Sequence, residues 1–154
     1  MVPLAEEIRA ALEDLVAGLP EGSASVRAED GRDITTLRVD PSSPTAAPVS
    51  VIVPHLGGGV TLQAGKGTIF EIPPAGRRYT GLPLLEELKS ICSAVLGGGL
   101  EESVVFAGSE VVKAVGSVRL QRPVTVRWRR AFVNPFKHRK EELLRYEPYS
   151  GVGR

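Results

Sequence analysis

The chain has 154 residues, which suits one domain with its own core, and its apolar and charged fractions of 42% and 24% are ordinary for a globular protein. The net charge of +1 shows no overall basic excess, and the single cysteine, Cys92, excludes an internal disulfide and a cysteine-built metal cage. The first residues are acidic, and no apolar run approaches the ~20 residues of a bilayer crossing, so we expect a cytoplasmic protein without membrane contact. Arg outnumbers Lys 14 to 5, which is typical of a bacterial genome rich in G and C.

The start of the chain predicts an amphipathic helix, because large apolar residues recur there at steps of three and four. Gly18 and Pro20 are expected to end it. The members of this stripe are Leu4, Ile8, Leu12, Leu15 and Leu19.

Five strands are expected next, separated by glycine and proline turns. The first two flank Asp30-Gly31, which indicates a hairpin because glycine accepts a positive φ. The expected ranges are 25–29, 34–39, 49–53, 60–63 and 68–72.

A second amphipathic helix is the clearest element of the sequence, since its apolar stripe holds a 3.6-residue period for more than three turns. We expect it to end at Gly97-Gly98-Gly99, with one glycine left-handed, and to turn Glu86 and Glu87 to water. The stripe consists of Leu84, Leu85, Leu88, Ile91, Cys92, Val95 and Leu96.

Three further strands are expected at about 101–106, 110–120 and 124–133, followed by a short helix near 140–145. In the last strand, period-two alternation places Arg127 and Arg129 on a solvent face and directs Trp128 and Phe132 to the core.

These elements predict an α+β fold: a largely antiparallel sheet of about six to eight strands, covered on one face by two helices. The order is helix, five strands, helix, three strands. Residues 1–154 form a single domain in this interpretation, and 134–154 are a basic and aromatic C-terminal tail.

Charge is segregated along the chain although the total is nearly neutral. Residues 1–60 hold 4 basic and 9 acidic groups, and residues 61–154 hold 15 basic and 9 acidic groups, so the two parts carry −5 and +6. The thirty residues between Glu110 and Glu141 contain nine bases and no acid. Large aromatic residues lie in or just after this stretch, and bases beside aromatic groups are typical of a contact surface.

The sequence therefore predicts a non-enzymatic protein-binding module, chaperone-like or toxin-neutralising, whose partner is another protein or a second copy in a homodimer. The layout is similar to that of small bacterial chaperone and toxin-neutralising proteins. The expected contact residues are Arg127, Arg129, Arg130, Phe136, Lys137, Arg139, Tyr146 and Tyr149.

Two alternatives use the same residues differently. In the first, the bases neutralise phosphates and an aromatic side chain stacks on bases, which makes the chain a nucleic-acid-binding protein. In the second, the acidic first sixty residues pair with the bases inside the molecule, and Trp128 and Phe132 belong to the core.

A third hypothesis is an enzyme centred on His55, which precedes three glycines whose amides could form an oxyanion hole. It requires a pocket that holds His55 beside another titratable group. The sequence supports no metal site and no cofactor, because it has only two histidines and no spaced acidic cluster.

Overall fold

The computed structural model describes residues 1–131, 134 and 136–150. Over that part of the chain the order is helix, five strands, helix, four strands, which confirms the α+β class. The elements are α1 (Pro3–Ala17), β1 (Ala24–Asp30), β2 (Ile34–Pro41), β3 (Val49–Pro54), β4 (Val60–Ala64), β5 (Thr68–Ile72), α2 (Leu84–Leu96), β6 (Leu100–Ala107), β7 (Glu110–Val118), β8 (Val124–Arg129) and β9 (Arg139–Arg145).

The strands form two antiparallel sheets. The first five strands make a meander in chain order, and the last four make a sheet of order β8-β7-β6-β9. The predicted first hairpin is present, but its turn spans Gly31 to Asp33, and Gly31 does not take a positive φ.

The two helices pack against each other and cover the core. The α1 helix lies on β1 and β2, whereas α2 approaches β7. Ile8 and Leu12 of α1, Leu88 and Ile91 of α2, and Phe70 of β5 are all fully or almost fully buried. Both predicted apolar stripes therefore face one continuous core, and Gly98, at φ +80°, is the left-handed residue after α2.

The two sheets meet closely where β5 begins. A Cβ on Gly67 would lie 2.8 Å from Ala114 Cβ, and a Cβ on Gly116 would overlap the side chain of Thr68. The strands β5 and β7 can approach here only because these two positions carry no side chain.

The prediction of a short helix at 140–145 is wrong, because these residues form strand β9, which pairs with the edge of β6. A six-residue helix cannot hold itself together, whereas the open edge of β6 offers backbone partners to an extended segment. Glu142 and Leu144 are half-buried, and Leu143 is 58% exposed, so the segment alternates as a strand does.

The prediction for Glu87 is also wrong, because its side chain is fully buried rather than turned to water. Its Oε1 accepts hydrogen bonds from the backbone N–H groups of Tyr79 (2.6 Å) and Thr80 (2.7 Å). Its Oε2 has no hydrogen-bond partner among the described residues. The loop before α2 folds back over the first helical turn, and helical periodicity gives no sign of such a return.

Candidate binding surface

Most bases of the acid-free stretch have no carboxylate partner in the part of the chain that the structure describes. Among the described residues, only Arg130 and Lys140 of the nine have a carboxylate within 4.0 Å, and both partners are nearby in the chain or sheet: Glu110 (2.9 Å) and Glu142 (3.1 Å). No ion pair of the described residues joins this stretch to the acidic first sixty residues. Among the described residues, direct ion pairs therefore account for two of the nine bases.

The arginines of β8 lie where the alternation predicts. Arg127 and Arg129 are exposed, and Trp128 is half-buried on the opposite face. Lys113 of β7, also exposed, stands directly opposite Arg129 in the antiparallel register. Two cations that face each other across a strand pair repel, and neither has a carboxylate within 4.0 Å among the described residues.

The connection from β8 to β9 carries the other exposed residues of the prediction. Phe136 is 94% exposed, and its backbone N–H donates to the side chain of Asn134 (3.0 Å). Lys137 and Arg139 are exposed as well. Gly108, in the β6–β7 turn, donates from its backbone N–H to the carbonyl of His138 (3.2 Å), so His138 lies beside this turn. Phe132 lies outside the described residues.

These exposed residues are called the basic face. They are Lys113, Arg127, Arg129, Arg130, Phe136, Lys137 and Arg139. The sequence pattern alone does not add Lys113 to the contact residues, because its place opposite Arg129 depends on the register of β7 and β8.

The two predicted tyrosines are structural and lie apart from the basic face. Tyr149 is 4% exposed, and its hydroxyl donates to the carbonyl of Ala47 (2.5 Å). It is thus not part of the exposed contact surface predicted from the sequence. Tyr146 is half-buried, and its hydroxyl donates to Glu102 (2.5 Å). Burial raises the pKa of both phenols above the usual value, and the bond to Glu102 adds to the rise at Tyr146.

Glu102 of β6 is the most heavily bonded side chain near these tyrosines. It is fully buried, and both of its oxygens accept hydrogen bonds. The donors are the backbone N–H groups of Lys66 (2.8 Å) and Gly67 (2.9 Å) and the hydroxyls of Thr68 (2.7 Å) and Tyr146 (2.5 Å). The carboxylate thus ties the β4–β5 turn to the four-stranded sheet, a structural role that its adjacency to Glu101 does not reveal.

His55 lies at the end of β3 in a small polar cluster. Its Nε2 is 2.9 Å from Thr35 Oγ1 and 3.2 Å from Asp30 Oδ1, and its Nδ1 is 3.0 Å from the carbonyl of Arg32. The pKa of Asp30 is lowered, chiefly by the hydrogen bond from Thr35 and next by the amino group of Met1. These contacts fasten β3 to the β1–β2 turn. Two surface clefts, of about 1070 Å³ and about 550 Å³, have other linings, so neither provides the pocket that the enzyme hypothesis requires.

Cys92 is fully buried in α2, and desolvation raises the pKa of its thiol to about 12. Among the described residues, no three His, Cys, Asp or Glu side chains come together as metal ligands would. Over the same residues, neither helix has the length and apolar composition that a membrane crossing requires.

Comparison of the chain with protein-family models, with curated proteins and with solved structures found no significant match.

Proposed function

We propose that the chain is a non-enzymatic protein-binding module, chaperone-like or toxin-neutralising in its action, and that it holds its partner on the basic face. The observation that carries the proposal is the exposed pair Lys113 and Arg129, which stand opposite each other with no carboxylate of the described residues within 4.0 Å of either. Such a pair lowers the stability of the free protein, and an acidic partner removes that penalty.

The exposed aromatic residue of the basic face supports contact with a protein. Phe136 is 94% exposed, yet burying a Phe side chain contributes about 1.5–3 kcal/mol. An aromatic anchor among arginines is typical of the few residues that dominate binding energy at protein interfaces. The expected partner surface therefore carries carboxylates around a small apolar hollow.

A second copy of the chain offers an acidic surface, although Glu13 there is already paired with Arg9 (3.0 Å). The outer side of α1 is acidic and exposed, and it lies in the N-terminal part of the chain, whose charge is −5. Its carboxylates are Glu6, Glu7, Glu13 and Asp14. The chain is therefore expected to associate with itself at low salt if no stronger acidic partner is present.

The test is affinity capture from the host with three forms of the protein. The wild type is compared with Arg127→Glu/Arg129→Glu and with the control Arg32→Glu/Arg38→Glu, which makes the same charge change at exposed positions of the five-stranded sheet and its first turn. We expect a defined protein to bind the wild type and the control, and to be lost from the Arg127/Arg129 variant. Equal loss from both variants, or equal binding by all three forms, argues against the basic face.

The same captures test the nucleic-acid alternative. This alternative stays open because seven of the nine bases have no carboxylate partner among the described residues. If nucleic acid is recovered, its affinity should fall with salt at a log–log slope of about −0.9 per phosphate contacted on duplex DNA. Recovery of nucleic acid with that slope replaces the protein-binding proposal.

A further inference from the structure

A cleft of about 1070 Å³ lies at the other end of β7 from Lys113. Its walls are α2, the end of α1, the loop 79–82 and the connection from β7 to β8. Lys113 and Arg119 are six residues apart along an extended segment, so the cleft is about 20 Å from the repelling pair of the basic face. The two features are separate surfaces, and ligand binding in the cleft does not depend on the proposed function.

Among the described residues, every charged side chain that lines the cleft is a cation. Lys89, Arg119 and Arg122 are exposed, and none of the described lining residues carries a carboxylate. None of the three has a carboxylate within 4.0 Å among the described residues. A concave wall of one charge sign concentrates its field inside the cleft, and so attracts an anionic ligand.

The floor of the cleft is apolar. Leu15 of α1 and Leu120 of the β7–β8 connection are partly buried and pack on the core, and Leu82 at the rim is 42% exposed. Hydroxyls of Thr80, Ser90 and Ser93 also line the cleft. A ligand that matches the cleft therefore needs apolar groups at its centre and carboxylates at its margins.

The walls are held in place before any ligand arrives. Arg119 lines both clefts, and its Nη2 donates to the carbonyl of Gly98 (3.1 Å) in the second one, which fixes the direction of its guanidinium at the boundary between them. The loop 79–82 is fixed by buried Glu87, which accepts hydrogen bonds from the backbone N–H groups of Tyr79 and Thr80. Such preorganisation lowers the entropy that binding would otherwise cost.

We propose that this cleft binds an acidic amphipathic segment of a partner protein, with the apolar side of the segment on the leucine floor and its carboxylates against Lys89, Arg119 and Arg122. The volume is at the upper limit of pockets that enclose small molecules, and it suits a helical segment laid in a groove.

The test is fluorescence anisotropy of the full chain with a synthetic peptide of about 15 residues that carries Leu at i, i+3, i+4 and i+7 and Glu on the flanks. We expect saturable binding that Arg122→Glu and Lys89→Glu each weaken about tenfold, whereas Arg38→Glu, at an exposed position of the five-stranded sheet, leaves it unchanged. Lys89 and Arg122 make no side-chain hydrogen bond to the described residues, and circular dichroism should show both variants folded.

Two matched peptides complete the test. A peptide with Lys in place of Glu, and one with Ser in place of Leu, should both lose binding. In the wild-type protein, peptide-induced amide shift changes should fall on residues 79–82, 89–94 and 119–122. The proposal is overturned if the acidic peptide does not bind saturably, or if either matched peptide still binds. It is also overturned if the shift changes centre on residues 113, 127 and 129.

Discussion

Two buried carboxylates, Glu102 and Glu87, each accept hydrogen bonds from a loop, but only Glu102 uses both of its oxygens. Both oxygens of Glu102 accept hydrogen bonds, from four donors in all, whereas Glu87 uses Oε1 alone. A buried acceptor that loses its place leaves its donors unsatisfied, and each such donor costs about 1–3 kcal/mol.

We predict that Glu102→Gln destabilises the protein by about 2 kcal/mol more than Glu87→Gln. In Glu102→Gln, the new NH₂ group would face groups that are themselves hydrogen-bond donors. In Glu87→Gln, the amide oxygen can still accept from Tyr79 and Thr80, and the NH₂ group replaces only Oε2, which has no partner among the described residues. Urea unfolding of both variants measures the difference. Equal losses would mean that the unpartnered oxygen of Glu87 has a partner in solution.

At the scale of the elements, local patterns were sufficient for both helices and for the five-stranded meander, because each is built from neighbours in the chain. The arginine side of β8 was predictable for the same reason. What could not be predicted depends on distant residues: the pairing of β9 with β6, the division of the strands into two sheets, and the return of the 79–80 loop onto Glu87. The burial of Tyr149 is of this kind, since its partner Ala47 is 102 positions away.

The strand assignment of β9 predicts an unequal response of two adjacent leucines. Leu144 is half-buried on the inner face, and Leu143 is 58% exposed on the outer one. We expect Leu144→Ser to lower the free energy of unfolding by about 1–2 kcal/mol and Leu143→Ser to change it by less than about 0.5 kcal/mol. Thermal or urea unfolding compares the two. A larger loss at Leu143 is incompatible with this register.

For the molecule as a whole, all three tyrosines have pKa values raised above the usual 10.0, in each case mainly by burial. Above pH 10 the unfolded chain releases phenolic protons that the folded chain retains, so the stability that these phenols contribute is present below that pH and falls as the pH rises. Tyr146 and Tyr149 are each expected to lower the free energy of unfolding by up to about 1.4 kcal/mol for every pH unit in this range.

Urea unfolding at a series of pH values above about 10, followed by phenolate absorbance, measures this loss. We expect phenolate to appear together with unfolding, and the Tyr149→Phe variant to show a shallower dependence on pH. Phenolates that form in the folded protein near pH 10 would contradict the assignment of these tyrosines to the interior.

The segment from Tyr146 to Ser150 contacts both the β2–β3 loop and the end of α2. Glu147 bridges to Ala46, and Tyr149 donates from its backbone to Leu96 and from its hydroxyl to Ala47. On the ribosome, the first sheet and both helices emerge long before these residues, which close over the loop between β2 and β3. The contacts of Tyr149 with Leu96 and Ala47 can therefore form only after residues 146–150 have left the exit tunnel.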